Sequence, residues 1–323
     1  MACSTGYQHP FCTSTPLQPH YSLKKSRGLL REEQLLSFVF AEKANHTIAR
    51  LCRVLELNRS SYYASLKSTP TLHDLEDDKL RPVIKSIFSE HKGRYGRPRV
   101  MAELVSRGIN TSAKRVARLM REEGLVSTPP KRFIRTTNSN HKFPKADNLL
   151  QRDFTATSTN QKWVGDLTYL WTAEGWMYLA TLQDVFSKTI VGWSLKTTMD
   201  ESLSLDALVM ALRGRKTKGL IHHTDQGAQY AATKYRTVLK SRGIKVSMSR
   251  KGDCWDNAMA ESLNGTIKRE LLGEWVPKTR AELESAVLEY IEGYYNKKRR
   301  HSALGYKTPL DVELNIAKKR HLV

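Results

Sequence analysis

The sequence predicts an α/β fold, a mixed sheet with helices on both faces, preceded by an all-α region. Three observations lead there. From about Arg152 the apolar pattern loses its helical spacing, and runs rich in aromatic and β-branched residues appear at 163–171, 176–183 and 189–195. Beyond these, helical and strand patterns alternate as far as the helix around Glu261, the order expected of crossover connections joining parallel strands. Between Glu32 and Val126, by contrast, apolar residues keep helical spacing.

The chain divides accordingly. Residues 1–31 are polar, contain proline and lack periodicity, and are expected to form a disordered tail. Residues 32–126 are expected to be a helical region of helix-turn-helix type. Within it Ile48, Leu51, Cys52 and Leu55 share a helix face, and Leu57-Asn58-Arg59-Ser60-Ser61 supplies a turn and a cap before Tyr62-Tyr63. A second block follows. Leu80, Val83, Ile84 and Ile87 mark one helix, Val100, Leu104 and Val105 another, and Val116, Leu119 and Met120 a third opening at Ser112. That third helix carries Lys114, Arg115, Arg118 and Arg121 at spacings that gather cations on one face, suited to backbone phosphates. Residues 127–151, with Pro129-Pro130-Lys131-Arg132, read as an extended basic linker.

The region 152–315 is expected to be the catalytic core with a basic C-terminal extension. Strand 163–171 turns at Ala173-Glu174-Gly175 into strand 176–183, and strand 189–195 follows. Asp200 caps a helix whose apolar stripe is Leu205, Leu208, Val209 and Leu212. Strand 219–224, helix 233–241 and strand 244–248 come next. A helix then opens at Asp256 or Asn257, with an apolar stripe of Ala260, Leu263, Ile267 and Leu271 beside a polar one of Asn257, Glu261, Asn264 and Lys268. Helix 279–295 presents Leu283, Val287, Tyr290, Ile291 and Tyr294 on one side. The run Asn296-Lys297-Lys298-Arg299-Arg300-His301 behind it is read as meeting DNA backbone through Arg299 and Arg300.

Composition narrows the chemistry. The 323 residues carry a formal charge of +21, which calls for a polyanion. No apolar run is long enough to span a bilayer and no signal peptide is visible, so a membrane is excluded as that partner and a cytoplasmic, nucleoid-associated protein is expected. Cys3, Cys12, Cys52 and Cys254 form no C-x-x-C pair and read as reduced thiols; His9 and Cys12 have ligand-like spacing, but in a Pro/Ser/Thr-rich tail. The notable residues are acids. Asp is depleted in strands, yet Asp166 sits mid-strand; Asp225 ends a strand that Gln226-Gly227 breaks; Glu261 lies on the rim of a packed helix. Three carboxylates so placed suit Mg²⁺, which wants hard oxygen ligands with room for water and phosphate. His223 alternates onto the face of Asp225 and reads as a supporting residue.

The phrases Trp163-Val164-Gly165-Asp166-Leu167-Thr168-Tyr169, His223-Thr224-Asp225-Gln226-Gly227, Asp256-Asn257-Ala258-Met259-Ala260-Glu261-Ser262 and Arg300-His301-Ser302-Ala303-Leu304-Gly305-Tyr306 occur in that order, with thirty-five residues between Asp225 and Glu261 and Lys268 seven positions after Glu261. From about Ile48 onward the chain thus resembles the DDE transposases and retroviral-type integrases, and most closely the OrfB-type catalytic subunit of bacterial insertion sequences. The resemblance implies a ribonuclease H-like core and Mg²⁺-dependent cleavage and strand transfer at the ends of an insertion sequence. Two Mg²⁺ ions (Mn²⁺ as substitute) would be held with Asp166 bridging and Asp225 and Glu261 each on one ion. It implies that Lys268 contacts the phosphate next to the scissile bond, that Asn257 orients substrate or Glu261, and that the basic helices bind terminal repeats. It also implies target DNA, self-association in a synaptic complex and an upstream-frame (OrfA-type) product, by frameshift fusion, as partners. A non-catalytic DNA-binding regulator or relic is the competing reading, against which the three intact acids speak.

Overall fold

The computed structural model describes residues 32–66, 71–127, 145–250 and 253–321, in two compact units, Met1–Asp78 and Lys79–Val323. In the first, helices α1 (Glu32–Glu42), α2 (Ile48–Val54) and α3 (Arg59–Ser65) enclose Leu35, Val39, Leu51, Cys52, Leu55 and Tyr62. Asn58 caps α3 as its spacing predicts, its side chain accepting from the Ser60 amide at 3.2 Å. Helix α4 (Leu72–Glu90) runs across the boundary between the units.

In the second unit, α5 (Arg97–Ser106) and α6 (Ala113–Glu122) follow, with Ser112 capping α6 by accepting from Arg115 N. The sheet has the order β3-β2-β1-β4-β5, formed by β1 (Lys162–Thr172), β2 (Gly175–Asp184), β3 (Ile190–Lys196), β4 (Ile221–Thr224) and β5 (Lys245–Met248). The β1–β2 and β2–β3 pairs are antiparallel; β1–β4 and β4–β5 are parallel, so the sheet is mixed as expected. The β1–β2 turn is possible because Gly175 takes φ +113°.

Helices cover both faces because both faces are apolar. On one side α7 (Glu201–Leu212), α8 (Ala228–Ala231) and α9 (Thr233–Ser241) enclose Leu182, Leu203, Leu208, Tyr235 and Leu239. On the other, α10 (Ala258–Ile267) and α11 (Arg280–Leu288) share one cluster with the sheet residues Leu170, Met177 and Leu179. That cluster also contains Ile84, Ile87, Val100, Leu104, Val116 and Leu119 of α4–α6. The helical block from Lys79 is therefore part of the same compact unit as the sheet, whereas the sequence pattern divides the chain at a 127–151 linker; most of that linker (128–144) and the 1–31 tail lie outside the described residues. Helix α12 (Pro309–His321) closes the described chain.

Two helices change pitch. α10 passes into a π-helical turn at Lys268–Leu272, and α11 into another at Glu289–Tyr295. An α-helical continuation of the stripe to Leu271 is thus not what forms: Leu271 is half-buried and Glu270 is turned inside.

Helix α7 is rotated from the expected stripe. Its buried residues are Leu203, Ala207, Leu208, Ala211 and Leu212, while Val209 is exposed. The reason is a close approach to β3: a Cβ on Gly192 would stand 2.1 Å from Ala207 O and 2.8 Å from Ala211 Cβ, so small residues face the strand. Gly192→Ala is accordingly expected to destabilise the protein by about 1–3 kcal/mol, read as a lowered midpoint in chemical denaturation; an unchanged midpoint would mean that α7 does not sit this close.

Several histidines are buried in the neutral form. His222 Nε2 meets Tyr235 Oη at 2.7 Å, and burial lowers its pKa to about 3. His223 Nδ1 meets Ser247 Oγ at 2.8 Å, and His91 stacks on Tyr95; burial lowers both to about 4. Below their ordinary value of 6.5 the unfolded chain takes up protons that the folded chain refuses, so this stability is present above that pH and is lost as pH falls toward 4. Thermal unfolding at stepped pH should show the midpoint dropping across this window. A flat profile would contradict the buried neutral state.

Candidate active site

The β1–β4 register pairs Lys162 with Ile221, Trp163 with His222 and Val164 with His223. Continued along both strands, it brings Asp166 level with Asp225, just where β4 ends at Thr224. Gly165 allows this approach, since a Cβ there would lie 3.0 Å from His222 Cε1 and 3.3 Å from Thr224 Cγ2. The turn beyond Thr224 is fixed by Gly227 N donating to Asp225 Oδ1 at 2.9 Å. Asp166 itself stays in β1, opposite Thr181 of β2.

Helix α10 supplies the third acid. It is entered through a 3₁₀ turn, Cys254–Asn257, so Asn257 rather than Asp256 is its N-cap position. Asp256 is instead buried, where it accepts from Arg250 N, Nε and Nη2 and from Arg152 Nε, each at 3.0 Å. Ala260, Leu263 and Ile267 are buried against the sheet and Glu261 is exposed beside them, as the two stripes predict. Two amides tie the helix to β1. Asn257 Nδ2 donates to Gly165 O at 3.4 Å, and Asn264 Nδ2 donates to Asp166 Oδ2 at 2.9 Å. Asn264 was legible only as a member of the polar stripe; its bond to Asp166 needs the fold.

The electrostatics show convergence. Burial, then the charge of Asp225 and, more weakly, that of Glu261, push the Asp166 carboxyl up to about 8, against hydrogen bonds from Leu167 N and Asn264. Lys268 lies on the same side: its ammonium is 5.3 Å from the Tyr169 ring centroid, and Asp166 partly offsets the lowering that burial imposes on it. The acids are not drawn into a finished cage, since among the described residues no three His, Cys, Asp or Glu groups are placed to hold an ion. Their chemistry nevertheless fits a hydrated hard cation. The donors are all carboxylates, their mutual repulsion is what a cation relieves, and the buried Asn257 Oδ1 and Asn264 Oδ1 lack a protein donor, which a metal-bound water could supply.

The basic residues separate into two groups. Lys114, Arg118 and Arg121 on α6 are exposed and Arg115 is half-buried. Arg299 and Arg300, expected on DNA, are committed inside the protein. Arg299 is buried, donating to Glu270 through Nε at 2.7 Å and Nη2 at 2.8 Å. Arg300 bonds Glu103, Ser106 Oγ and Tyr306 O. Desolvation makes an unpaired guanidinium costly here, so the buried carboxylate of Glu270 holds it in. Arg299 outweighs the effect of burial on Glu270, whose carboxyl is held below its ordinary value. Among the described residues no helix is long and apolar enough to cross a membrane. Cys52 is a buried free thiol, while Cys3, Cys12 and His9 lie outside the described residues.

The integrase core domain family matches residues 156–254, a second family of the same description matches 242–309, and the HTH-like domain family matches 75–133. The last falls on α4–α6 and not on the Leu57–Tyr63 turn. The chain is 44% identical over 260 residues to the insertion element IS600 uncharacterized 31 kDa protein of Shigella sonnei, covering 80% of this chain and 96% of the relative. It is 43% identical over 245 residues to the transposase for insertion sequence element IS904 of Lactococcus lactis, covering 76% and 97%. It is 38% identical over 283 residues to transposase InsF for insertion sequence IS3A of Escherichia coli, covering 86% and 98%.

Because Asn264 donates to the charged form of Asp166, replacing it by leucine should move the Asp166 titration further upward. Carboxyl ¹³C shifts of labelled aspartate followed with pH read this directly, and an unmoved midpoint would show that the bond is not made in solution.

Proposed function

The chain belongs to the insertion-sequence transposases with an integrase core domain, and we propose that Asp166, Asp225 and Glu261 are the acids through which this DNA transposase holds its catalytic metal. The observation that carries the reading is the coupling of Asp166 to both other acids at one end of the sheet. The reaction is phosphodiester exchange on DNA. Water first displaces a 3′-oxygen at the element end, which leaves as a 3′-OH; that hydroxyl then displaces a 3′-oxygen in the target strand. A pair of Mg²⁺ ions about 3.5–4 Å apart would supply charge stabilisation to the attacking and leaving oxygens.

The chain's own groups have distinct tasks in this reading. Asp166 offers oxygens from the middle of the sheet, with Asn264 fixing one of them by its 2.9 Å bond. Asp225 and Glu261 offer theirs from a strand end and a helix rim. Lys268, beside Tyr169, brings a cation to the same side and is suited to the phosphate next to the scissile bond. Asn257 holds α10 to the backbone next to Asp166 and so sets the position of Glu261. No covalent protein–DNA link is needed, so a serine or tyrosine nucleophile has no part.

Lys114, Arg115, Arg118 and Arg121 on α6, within the HTH-like match, are suited to the backbone of the terminal repeats. Arg299 and Arg300 are assigned no DNA contact, for the reason given above. Target DNA, further copies of the chain in a synaptic complex and an upstream-frame product are its partners in this reading. The non-catalytic alternative is disfavoured, since a protein that only bound DNA would gain nothing from three acids that raise one another's proton affinity.

The test is strand joining on a labelled DNA end, with Mg²⁺ and with EDTA. Asp225→Asn and Glu261→Gln should each lower joining at least about a hundredfold while leaving DNA affinity within about twofold. Joining at the wild-type rate by either variant would overturn the assignment.

A further inference from the structure

The loop that carries the chain from β5 to α10 ends in Trp255. Its ring is 68% exposed, more than that of any other tryptophan here; Trp176 follows at 50%. Exposing so much indole is unfavourable in water unless a partner covers it. Folding nevertheless holds it out firmly. Its own amide donates to Asp253 Oδ1 at 3.2 Å, and the next two residues, Asp256 and Asn257, are buried. Asp256 is clamped by Arg250 and Arg152, and Asn257 is bonded to Gly165 O. The indole is thus fixed at the end of the sheet that carries the acids: Ser249, at the loop's start, donates from its amide to Thr224 O, and Gln226 Nε2 donates to Ser249 O.

Its surroundings are cationic as well as aromatic. Arg152 and Arg250, both more than two-fifths exposed, are bonded to Asp256 and Asp253 alongside it. An exposed flat ring beside guanidinium groups is the arrangement that takes a nucleobase by stacking while cations attend the phosphates. A base in a paired duplex has both faces covered by its neighbours. A base that has left the stack has a face to offer.

We propose that Trp255 stacks on an unpaired nucleobase next to the phosphate being cut, holding the DNA end open at the acids. This rests on the transposase reading above and adds a recognition element that the three acids do not provide. The indole makes no covalent bond and moves no proton. It lowers the free energy of an opened DNA end relative to a closed one.

The test uses two readouts. In the full chain carrying Glu261→Gln, which stops turnover, a duplex bearing the DNA that flanks the reading frame, with 5-iodouracil at its terminal positions, is irradiated and the crosslinked peptide mapped. Crosslinks should fall on Trp255, strengthen when the terminal bases are mismatched, survive Trp255→Phe and vanish in Trp255→Ala. In the catalytically intact chain, Trp255→Ala should slow joining of fully paired ends about tenfold or more, and terminal mismatches should restore most of that loss. A merely structural role would slow paired and mismatched ends alike. Crosslinks that map elsewhere, or equal slowing on both kinds of end, would overturn the proposal. Joining by the wild-type chain in the same reactions reads the transposase assignment separately, and the crosslink needs no turnover.

Discussion

Three carboxylates of one sign, brought toward each other at one end of a sheet, are the constraint to which the rest of the second unit answers. Left alone, this arrangement is unfavourable, and Asp166 registers the strain as a raised proton affinity. What holds it together is ordinary packing. Asp166 is fixed by strand pairing with β2, Asp225 follows from the parallel β1–β4 register, and Glu261 comes with a helix whose Ala260, Leu263 and Ile267 are buried. Gly165 lets β4 side chains close on β1, and Gly192 lets α7 seat on the opposite face. The apolar burial that fixes these elements is what permits a like-charge cluster to persist.

A second electrostatic centre has the opposite character. Glu270 and Arg299 neutralise each other in the interior, with Tyr290 Oη donating to the same carboxylate at 3.0 Å and Arg99 reaching it from α5 at 3.5 Å. Tyr95 Oη, close by, accepts from Arg300 N at 2.8 Å. Both π-helical turns lie here, one carrying Glu270 and the other Tyr290, and each rotates its residues away from the face that α-helical spacing would give them. The helical block from Lys79 and the sheet are joined at this point by polar bonds, and around it by a continuous apolar cluster. Removing one partner would leave a buried charge, which is why such a pair resists substitution more than its net contribution to stability would indicate.

How much of this could be read from the chain depended on range. Every strand of the sheet, the caps at Asn58, Ser112 and Asp200, and the bounds of α9 follow from local pattern, because period, turn residues and capping act within a few positions. Asp166, Asp225 and Glu261 were legible as a set because an acid inside a strand is anomalous and the spacing of the three matched a known family. Arg299 was misread: a run of cations looks like a DNA-facing surface, and the carboxylate that draws Arg299 inside is Glu270, on a different helix. The α7 stripe was misjudged for a related reason. Leucines suggested the buried face, but the strand opposite carries Gly192, and proximity favoured Ala207 and Ala211. Asn264 needed the fold as well, since only packing shows which oxygen its amide meets.

The central claim is that the three acids form one cation site. The most direct measurement is equilibrium titration of Mn²⁺ into the protein, followed by loss of the free-ion paramagnetic resonance signal, for the wild type and for Asp225→Asn. The account predicts that the wild type binds Mn²⁺, that excess Mg²⁺ displaces it, and that the variant binds markedly more weakly while its circular dichroism is unchanged. Equal binding by the two proteins would place the cation elsewhere and contradict the account.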